Sequence, residues 1–182
     1  LVSTGIKNTI VGGLAGDALT TGDYNVALGY NALSGEDTGN KNVAIGADVL
    51  KNLNYNGDAF NTAVGHNSGY AVSTGVANTL IGGLAGDALT TGNYNVAIGY
   101  EALTTEDGDG KNVAIGAQAL RVQNAGADAY NVAIGHAAGT AVSTGLQNVI
   151  IGGQAGDALT TGSNNVAVGY LALSAEDAHG RN

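Results

Sequence analysis

Short apolar runs recur along the chain at a regular interval, and each run begins with asparagine and ends with glycine. Residues 95–99, Asn-Val-Ala-Ile-Gly, are one example. The asparagine recurs ten times, at Asn8, Asn25, Asn42, Asn61, Asn78, Asn95, Asn112, Asn131, Asn148 and Asn165. Successive asparagines are 17 or 19 residues apart, and the order of these steps repeats after 70 residues. Because a short fixed period indicates one structural unit stacked on itself, the sequence predicts a solenoid of about ten coils.

The residue types within each unit favour β-structure. Runs of Val, Ile and Thr closed by glycine are typical of strands, and the Gly, Asn, Asp, Ser and Thr between the runs are typical of turns. Apolar residues at helical spacing are missing throughout. A coil of this length can hold about two short strands with their turns. We therefore predict an all-β parallel solenoid with in-register coils ~4.8 Å apart, roughly 43 Å tall, in which the ten asparagines form a ladder.

The two faces of each run differ, because alternate residues of a strand point in opposite directions. Val96 and Ile98 are expected to fill the coil interior, so that Ile98→Asp should cost several kcal/mol through a buried unpaired charge. Asn95 and Ala97 would then lie on the opposite face. Other runs, such as residues 79–81, carry large aliphatic residues on both faces, which is typical of strands buried on both sides. We expect a homotrimer, and the alternative is a self-sufficient monomeric roll.

Composition narrows the classes of function. The chain has 182 residues with 31 Gly, one Phe and no Pro, Met, Trp or Cys, so stacking rather than a globular core must stabilise it. The absence of cysteine excludes disulfides and is compatible with an extracellular or virion setting. A net charge of -9 argues against a nucleic-acid partner. No apolar run approaches the ~20 residues that span a bilayer, so we expect no membrane insertion in this segment.

The domain prediction is a single solenoid over residues 1–182. Its super-repeats span residues 1–70 and 71–140, followed by an incomplete one over 141–182. Both ends fall in mid-pattern, and neither shows the atypical capping unit that solenoids usually carry. We expect the chain to be an excerpt of a longer fibrous protein.

An acidic loop provides the one candidate metal site. Glu106, Asp107 and Asp109 offer carboxylate oxygens of the kind that calcium prefers. The spacing of a known calcium loop is missing, however, and Asp and Gly are the default residues of turns. The loop and its counterparts at residues 35–40 and 175–180 are better interpreted as solvated turns. We predict no bound cofactor.

The remaining polar and aromatic residues do not predict catalysis. His66 and His136 lie at equivalent positions about 19 Å apart, too far to share a metal within one chain. Asp17, Asp87 and Asp157 recur in one context and are expected to act in turns. The tyrosines at Tyr30, Tyr100 and Tyr170 could stack on sugars, although packing at an interface is favoured. Because the sequence shows no nucleophilic side chain with an identifiable general base, we predict that the protein is not an enzyme. An ice-binding role is disfavoured, because the runs lack a uniform Thr-x-Thr face.

Two longer runs resemble known fibrous repeats. Residues 112–120, Asn-Val-Ala-Ile-Gly-Ala-Gln-Ala-Leu, resemble the head repeat of trimeric autotransporter adhesins, and residues 78–100 are similar to repeats of phage tail-fibre proteins. The resemblance covers essentially the whole chain. It implies a left-handed parallel β-roll, packed as a homotrimer, that serves as a rod displaying or carrying an attachment surface. Because the adhesin repeat is shorter than the coils here, adhesin binding residues are not transferred.

These observations lead to one expected function and two alternatives. The expected function is the structural shaft or attachment module of a trimeric phage tail fibre or virion appendage involved in host attachment. The alternatives are the head of a bacterial surface adhesin and a subunit of an extracellular filament built end to end. The expected partners are further copies of this chain and a host-surface receptor or glycan, at an extracellular or virion surface.

Overall fold

A computed structural model describes residues 4–108 and 110–175. These residues form ten strands of three residues each, joined by turns and bends. The strands are β1 (Thr9–Val11), β2 (Val26–Leu28), β3 (Val43–Ile45), β4 (Thr62–Val64), β5 (Thr79–Ile81), β6 (Val96–Ile98), β7 (Val113–Ile115), β8 (Val132–Ile134), β9 (Val149–Ile151) and β10 (Val166–Val168). The two described ranges contain no helix.

All ten strands belong to one sheet, and each strand pairs in parallel with the strands of the coils before and after it. Equivalent residues face each other across the sheet, so that Ala97 pairs with Ala114 and Ile98 with Ile115. The 19-residue coils keep this register, because Val43 pairs with Thr62 across the extra residues. The prediction of an all-β parallel solenoid with one coil per sequence period is confirmed.

Each described coil contains one strand instead of the two short strands expected. The reason is a set of backbone corners at fixed distances from the asparagine. Tyr94, Glu101 and Leu103 have φ values of 59°, 53° and 54°, and the equivalent residues of the other coils are also left-handed. Gly99, which ends the run, has φ of 134°. Since left-handed residues cannot continue a strand, the coil turns after three extended residues.

The inner and outer faces of the sheet are the reverse of those expected. Asn95 and Ala97 are fully buried, whereas Val96 and Ile98 lie on the outside and are half-buried. The prediction that Val96 and Ile98 fill the interior is therefore wrong. The coil is narrow, and Leu103 from the opposite wall already occupies its centre with no exposed surface. In this coil only a small side chain, that of Ala97, fits at the middle of the strand.

The interior keeps its volume by alternating large and small residues. Coil six combines Ala97 with Leu103, whereas coil five combines Leu80 with Gly86 and Leu89, all of them buried. A Cβ atom added to Gly86 would lie 2.8 Å from side-chain atoms of both leucines. A glycine is therefore required wherever the strand carries a large central residue, since packed interiors leave no spare room.

Candidate binding surface

The asparagines of the repeat form a continuous hydrogen-bonded ladder inside the solenoid. Each side-chain oxygen accepts a bond from the backbone N–H of the asparagine in the next coil. The distance is 2.9 Å from Asn95 to Asn78 and 3.0 Å from Asn112 to Asn95. The other seven steps lie between 2.8 and 3.2 Å. This ladder satisfies backbone groups that would otherwise be buried without partners.

The same side chains close individual coils. The amide nitrogen of Asn78 donates a 2.8 Å bond to the carbonyl oxygen of Gly92, fourteen residues later in the same coil. The same bond, to the carbonyl oxygen of the glycine fourteen residues later, is made by the side chains of Asn8, Asn25, Asn61, Asn131 and Asn148. The ladder therefore has a structural role, and it is hidden from any external ligand.

The outer face of the sheet presents the largest apolar surface. Its two columns are formed by the first and third residues of every strand, which are Val, Ile, Leu or Thr without exception. Ile81, Ile134 and Ile151 are each 37% exposed. Neither column contains a charged residue along its ten coils. We call these two columns the outer sheet face.

A column of mixed residues borders each side of this face. On one side lies the residue before each asparagine. Over the first nine coils this residue is aromatic in every second coil, as in Tyr94, and is lysine, alanine or glutamine in the others, as in Lys111. On the other side, the residue after each glycine is Gly, Tyr, Ala or His in turn. Tyr100 belongs to this second column and is 55% exposed. Its ring lies over Gly83 of the preceding coil, where an added Cβ would be 3.6 Å away.

The histidines and the recurrent aspartates stay apart from one another. His66 and His136 are both exposed in the second bordering column, four coils apart. Asp87 and Asp157 are half-buried, and one carboxylate oxygen of each is buried without a hydrogen-bond partner. Burial raises the pKa of Asp87, and the nearby Glu101 adds to this effect. Asp87 also lines a surface groove, together with Glu101 and Arg121.

The residues of the candidate calcium loop take different directions. Glu106 is fully buried inside the coil, and its carboxylate accepts a 3.4 Å bond from the side chain of Asn112. Asp107 is exposed, and its carboxylate accepts a 2.6 Å bond from the backbone of Gly108. Asp109 lies outside the described residues, as does most of the counterpart loop at 175–180. Among the residues described, no group of three or more His, Asp or Glu side chains could hold a metal ion.

A buried carboxylate is a feature that the sequence analysis missed. Glu36 has no exposed surface, and its two oxygens accept bonds of 2.7 Å from the backbone N–H of Gly39 and 3.2 Å from that of Tyr55. Burial raises its pKa, although these backbone bonds oppose the shift. Leu89 occupies the equivalent interior position of coil five. Comparison of the coils position by position is the signal that could have placed Glu36 inside.

Comparison with protein-family models, with curated proteins and with solved structures finds no match. Over residues 4–108 and 110–175, the chain has no helix suited to crossing a membrane.

Proposed function

We propose that this chain is a rod-shaped shaft and attachment module of a homotrimeric fibre, with the outer sheet face as the contact between chains. The setting that we favour is a phage tail fibre or another virion appendage that takes part in host attachment. In this role the solenoid supplies length and stiffness through stacked parallel coils. The work is mechanical, and it requires neither a catalytic group nor a cofactor.

The uncharged outer sheet face is the observation that carries the proposal. At ~4.8 Å per coil and ~6.6 Å between columns, the face covers roughly 43 Å by 13 Å, on the order of 560 Å². That area lies at the upper end of the range of about 300–600 Å² for the largest apolar patch of a soluble monomer. A symmetric assembly would cover it with the same face of further copies.

The number of chains and the biological setting rest on the sequence resemblance. Both repeat families that the chain resembles form trimers, and three chains around one axis would bring three outer faces together. The net charge of -9 suits a soluble rod at an extracellular or virion surface and disfavours nucleic acid as a partner. The head of a bacterial adhesin is the second candidate, because its repeat also begins with Asn-x-Ala-Ile-Gly.

Molar mass in solution tests the assembly directly. Multi-angle light scattering at micromolar concentration should give three times the 17.8 kDa of one chain. A mass of one chain over the whole concentration range would overturn the proposal, since the outer sheet face would then be stable in water. A mass of two chains would contradict the trimer.

A further inference from the structure

A row of aromatic side chains runs along one border of the outer sheet face. The residue immediately before the ladder asparagine is aromatic in every second coil from the second coil to the eighth. The four residues are Tyr24, Phe60, Tyr94 and Tyr130, which we call the aromatic row. Lys41, Ala77 and Lys111 occupy the coils between them.

The rings of the aromatic row are held at a regular spacing. All four residues are left-handed, with φ between 52° and 59°, so their side chains leave the backbone in the same manner. The strands that follow them are in one parallel sheet with unbroken register. Two coils of ~4.8 Å each therefore separate successive rings by ~9.6 Å. The row has four rings over about 29 Å.

The residues of the aromatic row are about half exposed. Between 49% and 61% of each of the four residues is exposed. The Lys111 ammonium lies 3.1 Å from the Tyr130 hydroxyl but 5.1 Å from the ring centroid, which places it at the ring edge. Lys7 contacts the edge of Tyr24 in the same way, 2.5 Å from the hydroxyl and 4.5 Å from the centroid. The Lys41 ammonium lies 4.9 Å from the ring centroid of Phe60. A lysine therefore contacts three of the four rings, and each of these residues still keeps about half of its surface exposed.

We propose that the aromatic row binds an unbranched β-1,4-linked polysaccharide of the cellulose or chitin kind. In such a chain, successive sugars are turned over, so every second sugar presents the same apolar C–H face in one direction. The length of one disaccharide is close to twice the ~4.8 Å strand spacing. Each ring of the row can therefore stack on the same face of alternate sugars, in the manner in which aromatic rings contact apolar surfaces.

The charges around the row favour a neutral polysaccharide. Lys41 is paired with Asp58 at 2.6 Å, and Lys111 is paired with Asp128. The surface between the rings is thus close to neutral, and the chain as a whole carries -9. An anionic polysaccharide or a nucleic acid would be repelled by this excess of acids.

The row borders the outer sheet face, so in the proposed assembly we expect it to lie at the rim of the contact between chains. The side chains of Lys41 and Asp58 are 39% and 42% exposed, and such ion pairs belong to the wet rim of an interface rather than to its core. The row would then line the outside of the assembled rod. This inference rests on the attachment role proposed above, and it names the class of ligand.

Calorimetric titration with cellohexaose and chitohexaose tests the inference, with maltohexaose as the control for linkage geometry. We expect binding to at least one β-1,4-linked hexasaccharide and none to maltohexaose. Tyr94→Ala should weaken this binding about tenfold. Tyr94→Phe should bind as tightly as the parent, because the ring makes the contact. Tyr100→Ala is the matched control, since Tyr100 is 55% exposed on the opposite border, and it should bind like the parent.

Three results would overturn the inference: no binding to either β-1,4-linked sugar, equal binding to maltohexaose, or an equal loss in Tyr100→Ala. Preferential binding of single-stranded DNA would also contradict it. Light scattering on the same samples separates this inference from the fibre proposal. Trimers without sugar binding would refute the aromatic row alone, whereas monomers that bind the sugar would refute the trimer alone.

Discussion

The backbone N–H of Asn95 donates a 2.9 Å hydrogen bond to the side-chain oxygen of Asn78 in the preceding coil. Asn78 in turn donates from its side-chain nitrogen to the carbonyl oxygen of Gly92 at 2.8 Å. One buried side chain thus joins two coils and closes its own coil. Because the solenoid has an interior too narrow for many large side chains, these bonds replace part of the apolar core of a globular protein.

Asn78→Ala tests the ladder. The substitution leaves the N–H of Asn95 and the carbonyl oxygen of Gly92 buried without their partners, so we expect a loss of about 2–5 kcal/mol in the free energy of unfolding. Urea unfolding followed by circular dichroism measures it. Asn52→Ala is the control, because Asn52 is exposed, and it should change stability by less than about 0.5 kcal/mol. Equal effects of the two substitutions would contradict a structural ladder.

The adjacent residues Gly82 and Gly83 differ in how closely the next coil approaches them. A Cβ at Gly82 would lie 2.5 Å from the carbonyl oxygen of Gly99, and Gly82 has φ of 133°. A Cβ at Gly83 would lie 3.6 Å from the ring of Tyr100 and 4.0 Å from the carbonyl oxygen of His66, which are ordinary contact distances. Gly82→Ala should destabilise the protein by at least about 3 kcal/mol, and Gly83→Ala by less than about 1 kcal/mol. Thermal melting of both variants measures the two losses. Similar melting temperatures would contradict the close approach of the Gly99 carbonyl oxygen to Gly82.

Neighbouring residues of β6 report on the two faces separately. Ile98→Asp places a charge on the outer sheet face, so the molar mass should fall while the β-sheet signal in circular dichroism persists. Ala97→Asp places a charge in the coil interior and should cost about 3–5 kcal/mol, with loss of the β-sheet signal. If Ile98→Asp kept the mass of the parent, the outer sheet face would not be the contact between chains.

The buried carboxylate of Glu36 makes stability depend on pH. Its folded-state pKa is raised above 4.5 by burial, so the folded protein binds the proton more tightly than the unfolded chain. Stability should therefore rise as the pH falls through the raised pKa, with the gain complete near 4.5. Below about pH 4, Asp48 and Asp58 act in the opposite sense, because hydrogen bonds to their carboxylates lower their pKa values.

Melting temperatures between about pH 5 and pH 8 measure this dependence. Glu36→Gln should make the rise on acidification smaller by removing one titrating group, and the part due to Asp87, whose pKa burial also raises, should remain. In Glu101→Gln the removed carboxyl has a lowered pKa, because Gln118 and Tyr100 donate hydrogen bonds to it, so the rise on acidification should be preserved. A parent protein that loses stability steadily from pH 8 to pH 5 would show that the Glu36 carboxylate does not control this range.

Several parts of the fold could be predicted because they depend on local periodicity. The spacing of Asn78, Asn95 and Asn112 determines the coil length, and the in-register parallel pairing follows because equivalent residues stack. The aromatic row was also readable in principle, since Tyr94 and Tyr130 precede ladder asparagines. The apolar runs alone do not reveal it, because the aromatic residues lie immediately before these runs.

Apolar character alone led to the wrong choice of inner face. Val96 and Ile98 are more apolar than Asn95 and Ala97, and burial by hydrophobicity would place the first pair inside. The structure places the second pair inside, because the interior has room only for a small strand residue opposite Leu103 and because backbone groups need the asparagine there.

The sequence by itself thus determined the period, the parallel stacking and the position of each glycine corner, since these follow from repetition and from backbone preferences. Only the tertiary structure decided which face is enclosed, that Glu36 lies inside, and that Glu106 and Asp107 take different directions. Those outcomes depend on the width of the closed coil and on the partners of its buried polar atoms, and neither can be read along a single strand.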